Sequence, residues 1–151
     1  MKTRILGIAL ATTASLWLAP TATAQAAAPE HTYQRQAFAA TNQQRDRHDR
    51  VQLRHQRCVQ KYAVRQARRM ARQERMFHQD LGRVLRACGL RMAGENVAYG
   101  YRSGRAVVND GWMHSRGHRE NILNPSYRLL GLGARRGDDG RWYAAQVFGR
   151  R

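Results

Sequence analysis

An α+β domain is the architecture this chain encodes. Three patterns carry that reading: an amphipathic helix from Cys58 to about Gln73, shorter helical segments on either side of it, and strand-like runs near the C-terminus separated by a turn. With 151 residues there is room for one compact domain and an export signal, and not comfortably for two domains.

The first residues have the plan of a secretory signal: Lys2 and Arg4 form a charged start, Ile5 to Leu18 is almost wholly apolar or small, and Thr21 to Ala28 offers small-x-small cleavage sites. The assignment is signal peptide 1–26, linker 27–32 and folded domain 33–151. The competing reading, an uncleaved anchor, needs a longer apolar run of roughly 20 residues. No later segment has the composition of a membrane span, so the protein is expected outside the cytoplasm, periplasmic or extracellular.

Tyr33 to about Asp46 is helical in composition, with Phe38 as its main apolar anchor. A polar, Arg-rich segment follows to about Arg57. From Cys58 onward Val59, Ala63, Ala67 and Met70 recur at helical spacing. Met76 to Asp80 leaves that helix, and Leu81 to Ala87 forms a short one that ends at Gly89. Gly94, Gly100 and Gly104 punctuate a loop-rich stretch. Ser103 then caps a helix over Arg105 to Ser115, placing Val108, Trp112 and Ser115 on one face. Gly111 within it points to the close approach of another backbone. Leu129 to Ala134 and Arg141 to Phe148 flank Gly137-Asp138-Asp139-Gly140, which is hairpin turn chemistry.

Two cysteines, Cys58 and Cys88, allow one intramolecular pairing, and an oxidising compartment makes that pair a disulfide candidate; the alternative is two free thiols. Charge is the other bound. The formal net charge of +17 falls to +15 when Lys2 and Arg4 leave with the signal, and most of the excess is arginine. Such a surface favours anionic partners: an acidic envelope polymer or an anionic lipid. The bland alternative is a solvated face, since the charge is densest from Arg45 to Arg75. Neither zinc-finger spacing nor an aromatic-basic RNA motif is present, so no specific nucleic-acid partner is expected.

Four segments in order carry a resemblance: Met76-Phe77-His78, Gly94-Glu95-Asn96-Val97-Ala98, the run from Gly111-Trp112 through His118-Arg119-Glu120-Asn121-Ile122-Leu123-Asn124-Pro125, and Trp142 to Gly149. Together they resemble the bacterial branch of the CAP superfamily (cysteine-rich secretory proteins, antigen 5 and plant pathogenesis-related proteins; the SCP domain), over roughly Phe38 to Gly149. The resemblance implies a three-layer α-β-α sandwich around a short antiparallel sheet, with a strand near Val97 to Tyr99 joining the hairpin. It also implies a cavity lined by two histidines and two glutamates, which in some members binds a divalent metal. The matching positions are His78, Glu95 and His118, and Ser115 stands where the second glutamate belongs.

Two imidazoles and a carboxylate suit zinc with an open water position. Without the second carboxylate, His118 and Glu95 have a structural alternative as hydrogen-bonding groups. His118-Arg119-Glu120 lacks the Pro-Cys-x-x-Cys partner of zinc deaminases, and Ser115 lacks a nucleophile elbow. No residue is therefore assigned a catalytic role. Trp112, Trp142 and Phe148 read as core, Tyr99 and Tyr101 as a cavity rim, and Asn121 and Asn124-Pro125 as turn formers. The sequence thus favours a secreted, non-catalytic binding module. His78, Glu95, Ser115 and His118 would line a groove for a small ligand, with His78 and His118 as metal candidates, and a basic surface would face the envelope. The alternative is a metal-dependent hydrolase of peptides or cell-wall polymers.

Overall fold

The computed structural model describes residues 29–151; the expected signal peptide and the start of the linker lie outside them. Helix α1 (Pro29–Asp46) is followed by a two-residue strand β1 (Arg54–His55), α2 (Arg57–Arg72) and α3 (Leu81–Cys88). Strand β2 (Met92–Tyr99) leads to α4 (Gly104–Ala106), which runs on into a π-wound stretch, Val107–Gly111, and a 3-10 turn, Trp112–His114. Then come α5 (Arg116–Leu123) and the hairpin strands β3 (Leu129–Arg136) and β4 (Trp142–Arg150). Among the described residues no helix is long and apolar enough to cross a membrane.

The sheet order is β1-β3-β4-β2. The three long strands pair antiparallel, with Glu95 opposite Val147 and Leu130 opposite Phe148. β1 adds a parallel edge through Arg54 and His55, so the sheet is mixed where a purely antiparallel one was expected. Strand alternation sorts the core. Leu130, Leu132, Ala144 and Phe148 pack with α1, α5 and the helical run on one face. Ala145, Val147 and Tyr143 meet α2 and α3 on the other. That is the α-β-α sandwich.

On the α2 side β3 presents Gly131 and Gly133, and a Cβ at Gly133 would fall 2.0 Å from the carbonyl oxygen of Ala63. The helix therefore rests its backbone directly on the strand, and only glycine permits that approach. α2 begins where Gln56 accepts from the Val59 amide (2.9 Å). Asp80 caps α3 through the Arg83 amide, and Gly89 closes it in the left-handed conformation. The Cys58–Cys88 disulfide joins the first turn of α2 to the end of α3.

Several expectations shift. α1 starts at Pro29, so residues 29–32 of the expected linker are helical; proline suits the first turn, whose amide has no helical acceptor. The Arg-rich stretch that begins in the last turn of α1 is not all solvated. Arg45 is fully buried, and its guanidinium donates to the carbonyls of Val51 (2.8 Å), Ile122 (2.7 Å) and Asn124 (3.0 Å). Burial, with Arg128 and Arg50 nearby, brings its pKa down to about 10. The expected helix over Arg105 to Ser115 exists as a helical run of changing winding. Asn121, expected to shape a turn, lies inside α5, which spans residues 116–123.

Candidate functional site

β2 is the edge strand that carries the site. Its side chains alternate, so Glu95 and Asn96 leave on opposite sides of the sheet. Glu95 is fully buried at its side chain and accepts from the His78 ring (Nδ1, 2.8 Å), the Gln79 amide (3.1 Å) and the Gln79 side-chain amide (2.6 Å). The carboxylate thus pins the segment between α2 and α3 to the sheet edge. His78 itself remains open to solvent, with 60% of its side chain exposed.

Asn96 faces the other layer and anchors a buried amide chain. Its Nδ2 donates to the His118 carbonyl (3.0 Å) and to Gln146 Oε1 (3.0 Å). Its Oδ1 accepts from Asn121 Nδ2 (2.9 Å), while Gln146 Nε2 donates to Thr41 Oγ1 (2.7 Å) and Thr41 donates to the Ala37 carbonyl. The sequence alone does not reveal this network: Asn96 and Gln146 stand there only as members of matching segments, and Asn121 as a turn former. Their signal was the polar residue at a strand position that the alternation makes inward-facing.

Between the end of β2 and the helical run lies a groove of about 530 Å³. Val97 to Tyr101 form one wall, Gly111, Trp112, Ser115 and His118 the other, and Met76 closes one side. Trp112 is buried and donates from Nε1 to the Val97 carbonyl (3.2 Å). Gly111 faces the Tyr101 ring, 2.6 Å from where its Cβ would be; the close approach expected there is by a side chain and not by a backbone. Tyr99 and Tyr101 stand at the rim as the sequence indicated. Trp142, expected in the core, is only partly buried and meets the Tyr33 ring in a tilted pair, 5.0 Å between ring centres.

The four expected site residues divide into two groups. Ser115 and His118 line the groove, whereas His78 and Glu95 pair beside it. Burial pushes the His118 ring below the usual histidine pKa, and the nearby His78 adds to that shift. No hydrogen bond joins Ser115 to His118 among the described residues. Nor do three His, Cys, Asp or Glu side chains among the described residues gather as a metal-binding set. Glu95 is committed to His78 and Gln79, which makes it a hydrogen-bonding partner of His78 and not a third ligand beside the two histidines.

The model of the CAP family, the cysteine-rich secretory protein family, matches residues 38–148. A segment of 44 residues is 52% identical to an uncharacterized membrane protein, YlbC, of Bacillus subtilis, covering 29% of this chain and 12% of that protein. Among solved structures, an extracellular protein containing an SCP domain from Bacillus anthracis superposes with a TM-score of 0.70 at 29% identity, over 81% of this chain and 41% of that one. A cysteine-rich secretory protein from Staphylococcus aureus gives 0.69 at 20% identity, over 81% and 39%. This chain therefore spans less than half the length of these relatives.

Proposed function

The chain belongs to the CAP family of cysteine-rich secretory proteins, and from that premise we propose that it acts outside the cytoplasm as a non-catalytic binding module. Its groove takes a small amphipathic ligand, and its basic exterior meets anionic envelope components. The observation that carries the reading is the groove of about 530 Å³ at the edge of β2. Its wall combines strand backbone, Gly111, Tyr99, Tyr101 and Trp112 with two polar points, Ser115 and His118. Apolar walls with a few convergent polar groups are what a small-ligand site requires. A role in holding rather than reacting is supported by the same residues: Ser115 makes no hydrogen bond to His118 among the described residues, and Glu95 positions the segment around His78. The signal-like N-terminus and the Cys58–Cys88 bond support the extracellular setting, as do the extracellular and secretory descriptions of the matched B. anthracis and S. aureus proteins.

A fluorescent fatty-acid probe titrated into the purified protein tests this. Binding that is saturable in wild type and abolished in Ser115→Trp, which fills the groove, is the expected result. Equal binding by the two proteins, with both folded by circular dichroism, would remove the groove from the function.

A further inference from the structure

We infer that the outer face of α2 is a docking rail for a linear, base-free phosphodiester polymer. The inference rests on the basic-exterior part of the proposed function and is independent of the groove. Arg57, Lys61, Arg65, Arg68 and Arg72 are all exposed, and at 100° per residue they fall within an arc of about 80° along a helix about 24 Å long. Successive charges stand ~4.5–6 Å apart along the axis. No acidic residue occurs anywhere in α2, and none of the five takes part in an ion pair among the described residues. A helix whose charges were only a solvated face would normally interleave both signs.

The rail runs into an arginine-lined cleft at each end. Arg68 and Arg72 join Arg135 and Arg136 around a cavity of about 290 Å³, with Asp138 as the one acid in its lining. At the other end Gln56, the residue that caps α2, lines a cleft of about 300 Å³ with Arg54, Arg128, Arg150 and Arg151 and no acid. The two clefts sit at opposite ends of β3, along which α2 lies. Several guanidiniums converging from different directions match the tetrahedral oxygens of phosphate better than the flat pair of a carboxylate.

The surroundings narrow the partner. A face that inserts into a membrane pairs its cations with apolar side chains. The exposed large apolar residues among those described are Val51, Met76, Met92 and Tyr99, and none stands on α2. Single-stranded nucleic acid is held by stacking its bases on aromatic rings. The one aromatic of α2, Tyr62, is buried beneath Arg65, 5.2 Å from the guanidinium to the ring centre.

The test measures binding of the full folded chain to poly(glycerol phosphate), polyglutamate, oligo(dT) and anionic vesicles across a salt series. The combined variant Arg65→Gln, Arg68→Gln, Arg72→Gln should weaken poly(glycerol phosphate) at least tenfold. It should also reduce the slope of log affinity against log salt by about 2, the value for three lost phosphate contacts on a single strand. An equal-charge control, Arg102→Gln, Arg105→Gln, Arg116→Gln, takes its arginines from around the helical run in the opposite layer and should leave both quantities near wild type. Equal losses in the two variants would mean diffuse attraction and overturn the rail while leaving the basic-exterior reading intact. Tighter binding of polyglutamate, oligo(dT) or vesicles would overturn the choice of polymer. Absence of binding to every probe would overturn both readings. Matching thermal melts of the variants exclude unfolding as the cause of a loss.

Discussion

The indole N–H of Trp112 donates to the main-chain carbonyl of Val97 at 3.2 Å, and Asn121 Nδ2 does the same for the carbonyl of Glu95. β2 is the sheet's edge, and an unpaired edge is a template for unwanted pairing. Here two side chains from the overlying helices occupy outward carbonyls two residues apart. They bind the wall of the groove to the layer that forms its other side.

Trp112→Phe should therefore do more than trim a ring. It leaves a largely buried carbonyl without its donor and a small void, which together cost about 2 kcal/mol. Urea denaturation reads the loss. Hydrogen exchange should localise it to β2, with Val97 and its neighbours exchanging faster than α2. Uniform loosening of both layers would assign Trp112 to general packing alone.

The α2 pattern and the hairpin were legible because each is a local periodicity: Val59, Ala63 and Met70 at helical spacing, and strand runs on either side of Gly137 to Gly140. The helix over residues 116–123 was not, because Arg116, His118, Arg119 and Glu120 supply little apolar periodicity and only Ile122 is fully buried. The parallel pairing of β1 was hidden for a different reason: two exposed residues carry no pattern, and only the position of β3 defines them as a strand. Of the site, the residues were visible but their partition was not. The family resemblance groups His78, Glu95 and His118, whereas strand alternation and the edge position send Glu95 to His78 and leave His118 to the groove with Ser115.

Asn96 tests the cost of the buried amide chain. Asn96→Ala removes the donor to the His118 carbonyl and to Gln146 Oε1 and one of the two acceptors of Asn121, which keeps the Glu95 carbonyl. Each lost partner of that kind costs about 1–3 kcal/mol, so a net loss of about 3 kcal/mol is expected. Equilibrium denaturation supplies the number. Asn96→Leu should recover little of it, because the polar neighbours stay unpaired. Full recovery with leucine would show that the site needs volume and not hydrogen bonds.

His118 gives a pH signature. Its folded-state pKa lies below 6.5 because burial opposes the charged ring, with the nearby His78 adding to the effect. The folded state then binds fewer protons than the unfolded state as pH falls below 6.5, so stability declines in that acidic window and is complete above it. NMR titration of the imidazole should place the His118 midpoint below 6.5. In His78→Ala the midpoint should rise, yet remain below 6.5 because burial persists. An unchanged midpoint would detach the two histidines electrostatically.

The Cys58–Cys88 bond closes a separation of 30 residues between α2 and α3. In the chain-entropy account a loop of that size is worth about 3–4 kcal/mol, through restriction of the unfolded chain. α3 makes the loss local as well as global. Its eight residues are too few to hold a helix in isolation, so its order depends on Val84 and Leu85 packing against the α2 side and on the tether at Cys88. The double variant Cys58→Ser, Cys88→Ser should lower unfolding free energy by about 3 kcal/mol in urea. Amides of residues 81–88 should lose protection before those of β3 and β4. A loss below about 1 kcal/mol, with α3 still protected, would mean that Asp80, Gly89 and the apolar contacts of α3 hold it without the bond.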